Sequence, residues 1–224
     1  MMNGADVTRD EQLDELYARP SENVVKAIAQ RLHAHHRAYL EKATFFSFAT
    51  VRDAGLDVSP RGGPAGFVRV LDDRTLVFGD WPGNNKIESM RNLVHDARVA
   101  ICFIFPGLDI FLRINGTARI STDQELRSSL AEGGRLPKTA IVVSIAELIF
   151  HCGKAINRAG LWKVESRIDR KELPSVGLIM RDLAGTPPDS VAAVDEHYDK
   201  SVKTDLYESA AEREDREREG KSVP

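Results

Sequence analysis

Apolar residues recur at helical spacing near the start of the chain and switch to a period of two at about residue 44. Thr8 and Glu11 form a capping box ahead of Leu13, Leu16 and Tyr17, and Pro20 ends that helix. Ser21 then caps a longer helix with Val24, Val25, Ile28 and Leu32 as its apolar stripe. His33, His35 and His36 lie near its end. No carboxylate or cysteine is spaced to complete a metal site, so they read as a solvated helical face.

From Thr44 the pattern is that of strands. TFFSFATV is aromatic and β-branched, Asp53-Ala54-Gly55 is a turn, and LDVSP is a short second strand. Residues 59–66, SPRGGPAG, read as a broken segment. GFVRVL and RTLVFG form a hairpin across Asp72-Asp73, and a helix follows over Lys86–His95. ARVAICFIF is nearly continuous, the pattern of a strand buried on both faces. IFLRINGTARI alternates. Ile110, Leu112, Ile114, Ala118 and Ile120 share one face, and Phe111, Arg113, Asn115, Thr117 and Arg119 share the other. Thr122 and Glu125 open a helix that Gly133-Gly134 stops, TAIVVSIAELIFHC is a long strand, and GKAINRAGLW is a short helical segment or a turn.

This order lacks the βαβα rhythm of a parallel sheet. Short connections make the strands antiparallel, and about six of them, some long and alternating, predict a closed or partly open barrel with helices around it. Three regions follow: N-terminal helices packing on the barrel over 1–42, the barrel domain over 43–170, and a helical, partly disordered charged tail over 171–224. PSVGLIMRDL is a short helix in that tail, and Pro187-Pro188 marks a boundary. In AEREDREREGK, Glu212 with Arg216 and Glu214 with Arg218 are four-residue pairs worth only about 0.3–0.5 kcal/mol each. They do not by themselves make a stable helix.

Composition narrows the function. The 224 residues carry a net charge of −3, which argues against coating nucleic acid. The two cysteines, Cys102 and Cys152, are too far apart for a metal or redox motif, and Cys102 sits in an apolar run. The polar, acidic start MMNGADVTRDEQ has no apolar core of a signal peptide, and no apolar run approaches the roughly 18 residues of a bilayer span. The expectation is a cytoplasmic protein that binds neither membrane nor nucleic acid.

The stretch GDWPGNNKIES points to chemistry. Asn85, or alternatively Asn84, is placed to cap the following helix, with Glu88 completing a capping box. The free N–H groups of a first helical turn, Gly83 for close approach and the charge of Lys86 together suit a phosphate. A capped helix with an exposed lysine and no ligand is the plainer reading of this stretch alone. Walker and Rossmann glycine patterns are missing. The segment Ser59-Pro60-Arg61-Gly62 adds an arginine among prolines and glycines, where backbone can pass close to a flat ligand. A glycine-rich loop with a solvated arginine is the alternative.

Taken in order, SPRG, the hairpin turn DDRTL, GDWPGNNKIESMRNL, an apolar strand and LRINGTARI followed by TD resemble the pyridoxamine 5′-phosphate oxidase-like, FMN-binding split-barrel family. The resemblance spans about Thr44 to Trp162. It implies an antiparallel split barrel with peripheral helices, a homodimer, and FMN at the subunit interface. It places Lys86 at the phosphate, with Asn84 and Asn85 beside it. Asn85 stands where the true oxidases often have arginine. It places Ser59, Pro60, Arg61 and Gly62 under the flavin, and Arg113 on the central strand lining the cofactor region. HCGKAINRAGLW resembles a subgroup of these flavoproteins, making Lys154, Arg158 and Trp162 contacts of a substrate or the flavin ring. The basic, histidine-bearing C-terminal segment of vitamin B6 oxidases is missing: the chain ends in acidic and alternating charge, and Arg31-Leu32-His33 stands at the other end.

The function implied is an FMN-dependent oxidoreductase acting on a small molecule. A non-catalytic flavin carrier or sensor is one alternative. Another is a relative binding haem, with His95 or His151 as axial candidate, or a deazaflavin. No general base is assigned.

Overall fold

The computed structural model describes residues 6–53 and 55–208, together with Glu212, Asp215 and Arg218. Ala54 of the first turn, and Glu214 and Arg216 of the tail pairs, lie outside the described residues.

Seven strands form one antiparallel sheet: β1 Phe45–Arg52, β2 Gly55–Gly62, β3 Val68–Val70, β4 Thr75–Asp80, β5 Arg98–Ile104, β6 Ile110–Ser121 and β7 Thr139–Cys152. Their order is β2-β1-β5-β6-β7-β4-β3. The sheet curls so that its ends approach without pairing. Phe46 on β1 lies 4.9 Å from Phe78 on β4, ring to ring. Arg61 on β2 comes within 3.7 Å of Asp80 on β4. This is a split barrel, with the split between β2 and β4.

The core is aromatic. Phe46, Phe48, Phe78, Phe103, Leu112 and Ile114 are almost wholly buried. The alternation along β6 is as the sequence predicts, with Leu112, Ile114 and Ala118 inward. Its register against β7 shifts between Asn115 and Gly116, where Asn115 faces Glu147 and Gly116 faces Ile145. Strand β5 departs from expectation. Val99, Ile101 and Phe103 are buried but Arg98 and Ala100 are exposed, so only one face meets the core. The strands buried on both faces are β4 and the first half of β7. Ala140 and Val142 pack with Val77 and Leu130 in a second cluster, beneath α5, Gln124–Ser129.

Helix α5 is capped by Asp123, whose carboxylate accepts from the Leu126 N–H at 2.8 Å, rather than by Thr122. The N-terminal half also differs. After α1, Asp10–Leu16, whose N-cap position is Arg9 rather than Thr8, the chain does not make one long second helix. Helix α2 is only Glu22–Lys26, because Ala29 pairs with Leu148 on β7 through both backbone bonds, at 2.9 and 2.7 Å. A new helix, α3, Ala34–Leu40, then starts at His33. His36 is therefore no solvated residue. It is buried, stacked on Phe150 at 4.9 Å, and its Nδ1 accepts from the His33 N–H. Burial, aided by His33 and His35, holds its imidazole below the usual histidine range.

Beyond the barrel come α4, Glu88–His95, between β4 and β5, and α6, Lys154–Ala159, after β7. Helices α7, Val176–Ala184, and α8, Val191–Thr204, pack on each other. Gly177 sits against the Val191 carbonyl, and its N–H donates to Asp195 at 2.7 Å. No helix among the described residues is long and apolar enough to cross a membrane.

Candidate functional site

SPRG is not a broken segment but the end of β2, paired with β1 over its whole length. The register decides which way its side chains face. Arg61 stands opposite Phe46 and Ser59 opposite Phe48, so they share the inward face with the core phenylalanines. Leu56 and Val58 consequently point outward and are 83% and 65% exposed. The apolar residues of this edge strand face out and Asp57, Ser59 and Arg61 face in, the reverse of an ordinary amphipathic strand.

That inversion lines a cleft of about 610 Å³ at the split of the barrel. One wall is Asp57–Gly62 of β2. The facing wall is Gly79 and Asp80 of β4 with the following turn, Trp81–Ile87, and Ser89 and Met90 of α4. Phe67, Lys138 and Leu206 complete it. Seven of the sequence-predicted residues thus meet at one place: Ser59, Pro60, Arg61, Gly62, Asn84, Asn85 and Lys86.

The turn works differently from a simple cap. Asn85 does not cap the helix; it takes a left-handed backbone, φ 58°, which asparagine tolerates better than most side chains. Asn84 bends its amide oxygen back to accept from the Lys86 N–H at 3.0 Å, and the Ile87 N–H donates to the Asn85 carbonyl at 3.1 Å. Helix α4 begins at Glu88 with Ile87 as its N-cap, two residues later than the sequence predicts. Its first turn, whose N–H groups have no carbonyl four residues back, is therefore Glu88–Met90. Lys86 stands just before that turn with an exposed side chain.

Three side chains the sequence reading missed tie the walls together. The Asp57 carboxylate accepts from Ser59 Oγ at 2.9 Å and from Ser89 Oγ at 2.7 Å, and the two hydroxyls are 3.0 Å apart. Asp80 faces Arg61 across the split. The signal for Asp57 was its alternation with Ser59 and Arg61. It is legible only once the inward face of β2 is known.

Arg61 is poorly satisfied for a group so enclosed. Its Nη1 donates to the Pro60 carbonyl at 2.8 Å, and its guanidinium carbon lies 5.8 Å from the Phe48 ring centre. Its Nε is buried without a hydrogen-bond partner, as is the indole nitrogen of Trp81. Burial lowers the Arg61 pKa, against the pull of Asp80 and Asp57. Burial likewise raises that of Asp80, against Arg61 and Lys138. Arg61, Lys86 and Lys138 outnumber the carboxylates Asp57 and Asp80 among the lining residues, so the cleft favours an anion.

The remaining candidates lie elsewhere. Arg113 is exposed on the outer face of β6, opposite Cys102 and Ile149. Lys154 and Arg158 are exposed on α6, and the Trp162 indole donates to the Leu108 carbonyl at 3.0 Å. None of these four lines the cleft.

The sequence profile described as pyridoxamine 5′-phosphate oxidase matches residues 32–152, more than half of the chain. The chain belongs to the pyridoxamine 5′-phosphate oxidase family. The matched span holds all seven strands and every residue of the cleft except Leu206. No curated protein matches the chain. Solved structures similar to it include HupZ from Group A Streptococcus, at 17% identity and TM-score 0.43 over 52% of this chain and 92% of that one. A Lactobacillus delbrueckii protein, provisionally assigned as a pyridoxamine 5′-phosphate oxidase, is similar at 23% identity and TM-score 0.42, over 54% and 95%. An F420 reductase is similar at 19% identity and TM-score 0.38, over 54% and 98%.

Proposed function

We propose that this member of the pyridoxamine 5′-phosphate oxidase family binds FMN in the cleft between β2, β4 and α4, and acts as an oxidoreductase on a small molecule. The observation that carries the reading is the meeting of Ser59–Gly62 with Asn84–Lys86 in a single cleft of about 610 Å³, within the range of small-ligand sites. The residues fit the group. Lys86 and the first turn of α4 offer charge and donors to a phosphate. The unpartnered Nε of Arg61 and indole nitrogen of Trp81 are donors lacking an acceptor beside that site, where polar edges of a flavin would meet them. When bound, the flavin supplies the redox chemistry by accepting and returning electrons or hydride. The chain binds its anionic end, orients its ring and keeps water from one side of it.

The reading includes a homodimer with the cofactor at its interface. The outer face of β2, β1 and β5 supports it: Leu56, Val58, Ala49, Ala100 and Cys102 lie side by side by register, and Leu56 and Val58 are largely exposed. Arg113 lies on this same outer face, so it would reach a cofactor as a residue of the second subunit.

A flavin carrier or sensor shares the site and differs only in turnover. A deazaflavin would use the same cleft. For haem, neither axial candidate is in the cleft: His95 ends α4 and His151 lies opposite Phe111 on β7. The test is an absorption spectrum of the purified protein with mass analysis of the molecule it releases. Flavin bands and the mass of FMN are expected. A colourless protein that takes up no added FMN overturns the reading, a deazaflavin mass redirects it, and a Soret band moves it to haem. Reduction of the bound flavin by a nicotinamide cofactor, followed by reoxidation, separates an enzyme from a carrier.

A further inference from the structure

The charged C-terminal end of the chain returns to the cleft. After α8 it turns at Asp205 and sets Leu206 into the cleft lining. The next ring, Tyr207, stands edge-on to Trp81 with centres 4.9 Å apart. Glu208 pairs with Arg135 at 2.7 Å, with side chains only 10% and 22% exposed. Further on, Glu212 reaches Lys138 at 3.1 Å. Burial and the neighbouring Glu132 push the Tyr207 hydroxyl up.

These contacts are not equal. The Lys138–Glu212 pair is about half exposed, and pairs of that kind contribute little. A buried glutamate is rare unless paired, and an arginine–carboxylate contact largely shielded from water is a strong one. The Trp81–Tyr207 contact matters for a different reason. Trp81 itself lines the cleft, so Tyr207 supports the wall from behind while Leu206 forms part of it.

We propose that Leu206, Tyr207 and Glu208 are a wall of the ligand cleft supplied by the C-terminal end, latched through Arg135, and that Leu206 is a specificity-determining contact of the bound molecule. The second half of this statement rests on the cofactor reading above; the first does not. Leu206 joins Phe67, Ile87 and Met90 as the apolar part of a lining that also carries Arg61, Lys86 and Lys138, and gives the bound molecule an apolar edge to meet at that point. The rate at which the wall swings out sets the rate of exchange.

The experiment uses the full chain carrying Trp162→Phe, which leaves Trp81 as its one tryptophan. Iodide quenching of Trp81 without FMN reads the wall directly. Glu208→Gln breaks the latch without touching Trp81, and the quenching constant should rise about threefold as the segment opens locally. Arg135→Glu should do the same, and Arg135→Glu with Glu208→Arg should return it toward the starting value. In the same proteins FMN release should accelerate about tenfold on breaking the latch. Leu206→Ala should narrow the preference for FMN over the smaller riboflavin phosphate analogues with truncated rings. Unchanged quenching in Glu208→Gln overturns the wall. Raised quenching with unchanged FMN release and unchanged preference in Leu206→Ala overturns its role in selecting the ligand. Should the starting protein bind no FMN, the cofactor reading falls and the quenching series still decides the wall.

Discussion

Arg61 on β2 and Asp80 on β4 face each other at 3.7 Å across the one place where the curled sheet fails to close. Both are about four-fifths shielded, and neither pays its desolvation through a tight hydrogen bond to the other. The pair is better understood as poised at the proposed ligand site than as a fastening of the barrel.

Asp80 makes this testable by pH. Burial lifts its folded pKa above its unfolded one, so the folded state holds the proton more tightly. That contribution is complete below the unfolded value, roughly 3.9, and is lost as pH rises through the folded value. Urea denaturation of the wild type and Asp80→Asn across pH 4 to 7 should show the wild type losing ground to the variant as pH rises. A difference that is flat with pH, or that grows in favour of the wild type, contradicts the assignment.

Lys86 should matter to FMN and Lys154 should not. A charged hydrogen bond contributes about 1.5–3 kcal/mol, so Lys86→Ala should weaken FMN binding roughly tenfold to a hundredfold. Lys154, exposed on α6 away from the cleft, is the comparison, and Lys154→Ala should leave the affinity within about twofold. Fluorescence titration with FMN checks both. Equal losses would move the phosphate off the start of α4.

Gly116 should resist replacement. A Cβ there would lie 2.0 Å from the Ser144 carbonyl oxygen, where β6 meets the register shift of β7. Backbone cannot yield as a side-chain tip does. Gly116→Ala should lower stability by about 2–4 kcal/mol, read by chemical denaturation. A loss under half a kilocalorie would mean that the strands separate there at little cost.

Phe46 should be the costliest core truncation. Its side chain is fully buried, and its ring meets those of Phe48, Phe67, Phe78 and Phe103 with centres 4.9–6.4 Å apart. Phe46→Ala should cost about 3–5 kcal/mol. Because Phe46 stands opposite Arg61, the same variant should also loosen FMN binding, while Phe103→Ala should affect stability more than binding.

The local pattern determined the strands. The alternation of IFLRINGTARI and the turn residues around DD and PG follow from backbone sterics and the period of two, and they are found where that physics puts them, whereas Gly133-Gly134 does not stop α5, which ends at Ser129, but turns the chain between Glu132 and Arg135. The order of motifs was also enough to recognise the family. Local pattern could not say that Ala29 would pair with Leu148 and cut a promising helix short, because that bond joins residues more than a hundred positions apart. Nor could it say that β2 would face its polar residues inward. Facing is set by the register with β1, and a shift of one position would have turned Asp57, Ser59 and Arg61 to the outside. The same holds for the C-terminal end, whose charges look like those of a solvated tail until Arg135 and Trp81 are brought beside Glu208 and Tyr207. Chemistry that depends on one residue's own backbone was legible in the chain. Chemistry that depends on which distant surface lies opposite was decided only when the sheet curled and its two edges met.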